Sequence, residues 1–212
     1  MTRLPSLRIL ALSALGLVAA IGLTSCGTSD SLSFGSDTRN KMIVSVRDQK
    51  MMLVRDGAPL KTYKISTSKF GIGDRPGSNC TPLGRLQVAK KIGANAPIGS
   101  VFKSRRQTGE VLKPNAPGRD PIVTRILWLS GTESRNQNAF RRTIYIHGTP
   151  EERRLGSPAS YGCIRMGSND VADLYNRIGT GADVFIIRGS IQSENSETES
   201  AFAGKSTFRP RS

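Results

Sequence analysis

The sequence predicts a mostly β fold, a β-sandwich or open barrel of largely antiparallel strands with one short helix. Two observations point to it. Short apolar runs bounded by turn signals recur along the chain, and a single segment places apolar residues at helical spacing. Residues 42–46 and 51–54 are the first two runs, and Arg47-Asp48-Gln49-Lys50 between them reads as a hairpin turn. Asp56-Gly57 marks the next turn, after which residues 60–67 alternate as a third strand. Residues 86–90, 123–129 and 143–146 continue the pattern, and 184–187 form the last apolar strand. The helix is expected over residues 169–178, where Val171, Leu174, Tyr175 and Ile178 share a face behind a polar cap, and Gly179 and Gly181 end it. Residues 92–120, rich in Gly, Pro and Asn, fit a lid beside a groove or, equally, a disordered loop. The lone Gly71-Ile72-Gly73 lacks the continuation of a nucleotide-binding turn and reads as a simple turn, while Trp128 reads as a core residue.

The ends of the chain differ from its centre. Arg3 and Arg8 flank a short polar start, and residues 9–23 form an apolar run too short for a bilayer crossing, so residues 1–25 read as a secretory signal. Its last residues, Leu23-Thr24-Ser25-Cys26, resemble a bacterial lipobox, which implies lipidation of Cys26 and an envelope protein held to a membrane by its acyl chains. Gly27, in place of Asp, implies the periplasmic face of the outer membrane in a diderm host. In a monoderm the same signal implies the outer face of the plasma membrane. Residues 26–40 read as a flexible tether, 41–189 as one domain, and 190–212 as a disordered polar tail.

Charge narrows the partners. Lys and Arg number 31 against 16 Asp and Glu, and loss of Arg3 and Arg8 with the signal takes the net charge from +15 to +13. A cytosolic chain so basic would suggest nucleic acid, but an exported one does not. Anionic wall polymers, peptide carboxylates and lipid headgroups remain. Lys90-Lys91, Arg105-Arg106, Arg141-Arg142 and Arg153-Arg154 could meet them, although each pair also fits a solvated loop.

The chemistry concentrates between Ile146 and Met166. This stretch holds the one histidine of the chain, His147, and then Ser160-Tyr161-Gly162-Cys163-Ile164-Arg165-Met166. A cysteine attacks as its thiolate, and a nearby imidazole can take the proton. Gly162 would let a substrate carbonyl approach backbone N–H groups that form an oxyanion hole. Together these residues are a minimal set for acyl transfer. If the strand runs through His147, Ile144 and Ile146 face the core while Tyr145 and His147 face a groove, which leaves His147 exposed at a strand end. One histidine and scattered cysteines are too few to hold zinc, so no metal is expected. With Cys26 lipidated, a Cys80–Cys163 disulfide would consume the nucleophile, so Cys80 is expected to be a free or buried thiol.

These residues resemble the L,D-transpeptidase catalytic domain, the YkuD-like cysteine enzymes of bacterial peptidoglycan. The resemblance rests on His147-Gly148-Thr149, on the Ser160–Met166 loop, on Thr81-Pro82-Leu83-Gly84-Arg85-Leu86 and on the helix after the nucleophile. It covers roughly residues 41–188. Tyr161 departs from it, standing where the family has a second histidine, and reads as a substitution in the groove wall whose hydroxyl can reach substrate.

The resemblance implies that Cys163 attacks a diamino-acid carbonyl in a peptidoglycan stem tetrapeptide and expels D-alanine. His147 would be the base, oriented by the Gly148 carbonyl, and the N–H groups of Gly162 and Cys163, with Tyr161, would hold the oxyanion. It implies that Ser160 supports the loop or substrate, and that Arg165 either holds the loop or pairs with a stem carboxylate. An amine acceptor gives a cross-link, water gives an L,D-carboxypeptidase, and a protein lysine gives an anchoring enzyme. No cofactor is implied. The other class of reading is a wall-binding lipoprotein without turnover.

Overall fold

The computed structural model describes residues 36–192. The signal segment, Cys26, and most of the tether and of the polar tail lie outside the described residues. Ten strands and one α-helix follow in chain order: β1 (Asn40–Ser45), β2 (Lys50–Arg55), β3 (Ala58–Ser66), β4 (Gly84–Ile92), β5 (Ser100–Lys103), β6 (Arg106–Val111), β7 (Ile122–Gly131), β8 (Tyr145–Gly148), β9 (Ile164–Met166), α1 (Ser168–Arg177) and β10 (Asp183–Ile187).

The strands form one sheet in the order β4-β10-β1-β2-β3-β9-β8-β7-β5-β6, and an additional β4–β7 pairing closes it into a barrel. Closure pairs the edge of β4 with β7, and only the β5–β6 hairpin, which hangs from the first half of β7, keeps an edge in β6. Pairings β1–β10 and β8–β9 are parallel and the others antiparallel. The predicted hairpin is present, with Ser45 opposite Lys50. Inside the barrel Met42, Val44, Leu53, Ile65, Leu86, Leu127, Leu129, Ile146 and Ile164 are buried with Val171 and Leu174 of α1 and with Ile178 just after it. Helix α1 lies within a residue of its expected span, but its cap differs. Gly167 is the N-cap, and the Glu152 carboxylate accepts the Ser168 N–H at 2.8 Å from outside the helix. A carboxylate there also complements the positive end of the helix dipole.

Strand β7 organises the functional side. Past Ile126 it pairs with β4, and before that with β5, through Val101↔Val123 and Phe102↔Ile122. The two regimes meet at a bulge opposite β8, between Val123 and Ile126, where Thr124 has φ 70. The Thr124 hydroxyl accepts the Gly99 N–H at 3.0 Å, and the buried Arg125 donates to the Ala96 carbonyl at 2.7 Å, so both residues of the bulge hold the segment before β5.

That segment corrects one expectation. Residues 92–120 hold a β-hairpin, β5–β6, and Val101 and Phe102 are buried. Both domain margins are also more ordered than the sequence suggests. Asp37, in the expected tether, accepts N–H groups of Asn40 and Gly179, while Ser190 and Ile191, at the start of the expected tail, bond Asp48.

Candidate active site

Strands β8 and β9 set the site. They run parallel, with Ile146 opposite Ile164 and His147 opposite Arg165. Side chains alternate across a sheet. Ile146 and Ile164 point into the barrel core, and Cys163, His147 and Arg165 turn to the other face. There they line one cavity of about 180 Å³ with Asp120, Ile122, Ser160 and Tyr161.

His147 is only 5% exposed, which overturns the expectation of an exposed base. Strand parity gave its face correctly but says nothing of what covers that face. Nδ1 lies 2.8 Å from the Gly148 carbonyl. A carbonyl only accepts, so Nδ1 carries the proton and Nε2 is left as the acceptor. Gly148 is needed here for space, since a Cβ would meet the Val123 carbonyl of β7 at 2.7 Å.

Cys163 packs beside Phe102, Ile126 and Tyr145. Its sulfur receives the Tyr145 N–H at 3.4 Å and faces the Thr143 carbonyl at 3.5 Å. Thr143 presents that carbonyl from the left-handed region, φ 56, an unusual conformation for a β-branched residue. Among the described residues no hydrogen bond joins Cys163 to His147.

Burial drives both groups to their neutral forms. It pushes the Cys163 thiol up to about 11, against lowering by the Tyr145 N–H and by Arg165 and Arg142. It pushes His147 down to about 4, with the Gly148 carbonyl and Asp120 opposing and Arg165 assisting. A standing thiolate, the expectation from sequence, is therefore not the resting state.

The loop before Cys163 is closed on itself. The Ser160 hydroxyl donates to the Cys163 carbonyl at 2.6 Å and accepts the Gly162 N–H at 3.2 Å. The Gly162 N–H, expected to face substrate, is thus engaged within the loop. Among the described residues the N–H groups of Tyr161 and Cys163 have no acceptor. Gly162 itself has φ +116, a conformation that favours glycine, and a Cβ there would also crowd the Cys80 carbonyl at 3.2 Å.

A model of the L,D-transpeptidase catalytic domain family matches residues 39–186. The chain belongs to that family. YqjB of Bacillus subtilis (strain 168), provisionally named an L,D-transpeptidase, is 28% identical over 145 residues, 68% of this chain and 69% of that one. Among solved structures, an L,D-transpeptidase from Mycobacterium smegmatis is similar at 17% identity over 70% of this chain and 58% of that one, with a TM-score of 0.45. One from Mycobacterium tuberculosis H37Rv is similar at 17% identity over 71% and 58%, with a TM-score of 0.47. The chain therefore spans less than two thirds of the length of these solved structures.

Around the site of this L,D-transpeptidase domain, Arg165 was expected from sequence, but its partners Asp120 and Glu151 were not. Arg165, 8% exposed at its side chain, is ion-paired to Asp120 and, at 3.4 Å, to Glu151. Arg142 binds Asp74 at 2.9 Å and the carbonyls of Gly73 and Cys80 at 3.0 and 2.6 Å, bracing the stretch against which Gly162 packs. The Thr81 hydroxyl donates to the Gly162 carbonyl at 3.0 Å. The sequence signals for this bracing were Arg141-Arg142, singled out as a basic pair, and Thr81, in the stretch that carries the resemblance. Cys80 is a free, half-buried thiol directed at the Phe70 carbonyl at 3.2 Å.

The mouth is different in character. Tyr161 is 57% and Phe70 50% exposed, and their rings tilt together at 5.3 Å. The Lys69 ammonium lies 4.4 Å from the Tyr161 ring centre and donates to its hydroxyl at 3.0 Å, which lowers the phenol below its usual range. Among the described residues Lys69 has no carboxylate partner.

Proposed function

We propose that this L,D-transpeptidase domain transfers an acyl group from a peptidoglycan stem tetrapeptide through a Cys163 thioester to an amine of a neighbouring stem, forming a cross-link. The observation that carries this reading is the convergence of Cys163 and His147 on one cavity, with Nε2 of His147 left free to accept a proton.

Substrate binding would swing the Cys163 thiol from the Thr143 carbonyl toward Nε2, since such contacts often tighten only in the complex. Nε2 then takes the thiol proton as sulfur attacks the diamino-acid carbonyl. The N–H groups of Cys163 and Tyr161 receive the developing oxyanion, each such donor contributing roughly 3 kcal/mol. As the tetrahedral centre collapses, the peptide bond to D-alanine breaks and His147 returns the proton to the leaving amine. An incoming amine gives its proton to His147 and attacks the thioester, which releases the Cys163 thiol and forms the new amide. Proton transfer during attack replaces a preformed ion pair, consistent with two buried groups held neutral at rest.

Ser160 shapes the nucleophile loop rather than reaching substrate, because its donor is spent on the Cys163 carbonyl. Arg165 is spent on two carboxylates, which favours its holding role over recognition. The stem carboxylate is then read at the mouth, by Lys69 beside the Tyr161 hydroxyl. The lipobox reading of Cys26 places this activity in the cell envelope on an N-terminal lipid anchor, where the basic surface meets anionic wall polymers.

The test is incubation with disaccharide-tetrapeptide, alongside Cys163→Ala, with mass spectrometry of products. Loss of D-alanine together with a Cys163-dependent dimer is the expected result. A tripeptide without dimer replaces transpeptidation by carboxypeptidase action, and a full set of products from Cys163→Ala overturns the mechanism.

A further inference from the structure

Asp120 was not visible as a functional residue in the sequence, yet it is the point where the cavity wall is tied together. It lies two residues before β7 and is followed by Pro121, which favours an extended backbone at the preceding residue. One carboxylate oxygen of Asp120 takes the Arg165 guanidinium and the other accepts the Thr149 hydroxyl, both at close range. Its side chain is only 15% exposed. Thr149 is itself fixed, its N–H donating to the Met166 carbonyl at 3.0 Å and its hydroxyl accepting the Glu151 N–H at 3.0 Å. The preceding loop docks on the same segment, with the Asn115 N–H on the Pro150 carbonyl and the Arg153 N–H on the Asn115 side chain at 2.9 Å. A single carboxylate thus joins the strand carrying His147, the strand carrying Arg165 and the start of β7.

We propose that Asp120 is a positioning residue for the transfer reaction, locking and neutralising Arg165 beneath the cavity so that the guanidinium neither captures substrate carboxylate nor faces His147 and Cys163 as an uncompensated charge. The catalytic part of this inference rests on the Cys163–His147 reading; the electrostatic part does not. Arg165 sits opposite His147 in the β8–β9 register and lines the same cavity, so its charge acts directly on the imidazole. Glu151 alone is a poor substitute. It lies at 3.4 Å from Arg165 and is shared with Arg154 at 3.0 Å.

The experiment uses the full chain and three variants, Asp120→Asn, Asp120→Glu and the double Asp120→Asn with Arg165→Met. Because His147 is the sole histidine, its ring resonances titrate without overlap in an NMR pH series. Asp120→Asn leaves Arg165 only the shared Glu151 as counter-charge, so the His147 midpoint moves to lower pH; the double variant, which removes both charges, moves it back up toward the parent, and Asp120→Glu stays near the parent. In turnover of the tetrapeptide, Asp120→Asn lowers kcat by about ten- to a hundredfold, the cost of misplacing reacting groups, while KM changes less. An unmoved His147 midpoint in a folded Asp120→Asn overturns the electrostatic role whether or not turnover is seen. A moved midpoint with unchanged kcat, in a parent whose Cys163-dependent turnover is established, overturns the positioning role alone. Should Asp120→Asn fail to fold, Arg165→Met alone carries the test: it leaves the Asp120 carboxylate uncompensated beside His147, so the midpoint moves to higher pH, and an unmoved midpoint overturns the electrostatic role equally.

Discussion

The floor and the rim of the cavity are built on opposite principles. At the floor, Cys163, His147, Arg165 and Asp120 are buried or nearly so, and their polar atoms are tied to backbone or to one another. At the rim, Lys69, Phe70 and Tyr161 are exposed and touch mainly each other. A buried charge must be matched, whereas an exposed one keeps its charge available to a ligand. On the proposed reading the floor would set the chemistry and the rim what enters, so changes at the floor should act on kcat and changes at the rim on KM.

The largest expected effect is at the floor. His147→Gln removes the proton acceptor while preserving polar bulk, and is expected to lower kcat by about 10² to 10⁴, the usual contribution of a general base. Single-turnover acylation of Cys163 by tetrapeptide measures it, and a loss under threefold would mean that another group takes the proton. The same variant tests burial. The free imidazole titrates near 6.5 and the folded one near 4, so between those values the unfolded chain binds the proton and the folded one does not. Stability present above 6.5 is lost as pH falls toward 4, by about 3 kcal/mol from this group. His147→Gln should remove that part of the pH dependence, read as a flatter dependence of urea unfolding on pH over that interval.

Sequence and structure agree most where the signal is local. Strands β1, β2, β3, β4, β7 and β10 and the helix carry their apolar period in contiguous residues, and His147 and Cys163 stand out within one short stretch. The remainder depends on distant partners. Asp120 and Arg165 are far apart in the chain and meet only because β7, β8 and β9 lie side by side. Strand β6, Arg106–Val111, is largely exposed and has no alternation to read, and β9 is three residues long. The burial of His147 depends on cover from outside its own strand. So does the engagement of the Gly162 N–H by Ser160, which no spacing rule predicts.

A smaller effect is expected at the junction of the two regions. Gly162 connects Tyr161 on the rim to Cys163 on the floor at φ +116. Gly162→Ala forces a Cβ into that conformation and against the Cys80 carbonyl, at a cost of roughly 1 to 3 kcal/mol. The loop can relieve it by turning, which moves Cys163. The expected outcome is a lowered thermal midpoint and slowed acylation of Cys163 at temperatures where the variant is fully folded. Unchanged acylation there would show that loop and nucleophile are less tightly joined than their hydrogen bonds imply.

The smallest effect separates the rim from the floor most cleanly. Lys69 is exposed and its contacts are to the rings of Phe70 and Tyr161 and to the Tyr161 hydroxyl, so Lys69→Ala should leave the thermal midpoint nearly unchanged. If this ammonium reads the stem carboxylate, KM should rise about two- to fivefold with kcat preserved, in line with an exposed ion pair contributing up to about 1 kcal/mol. Salt provides the control. Screening weakens an exposed pair far more than the buried Asp120–Arg165 pair, so raising ionic strength should shrink the difference in KM between Lys69→Ala and its parent. A fall in kcat with KM unchanged would place Lys69 with the floor and dissolve the division between the two regions.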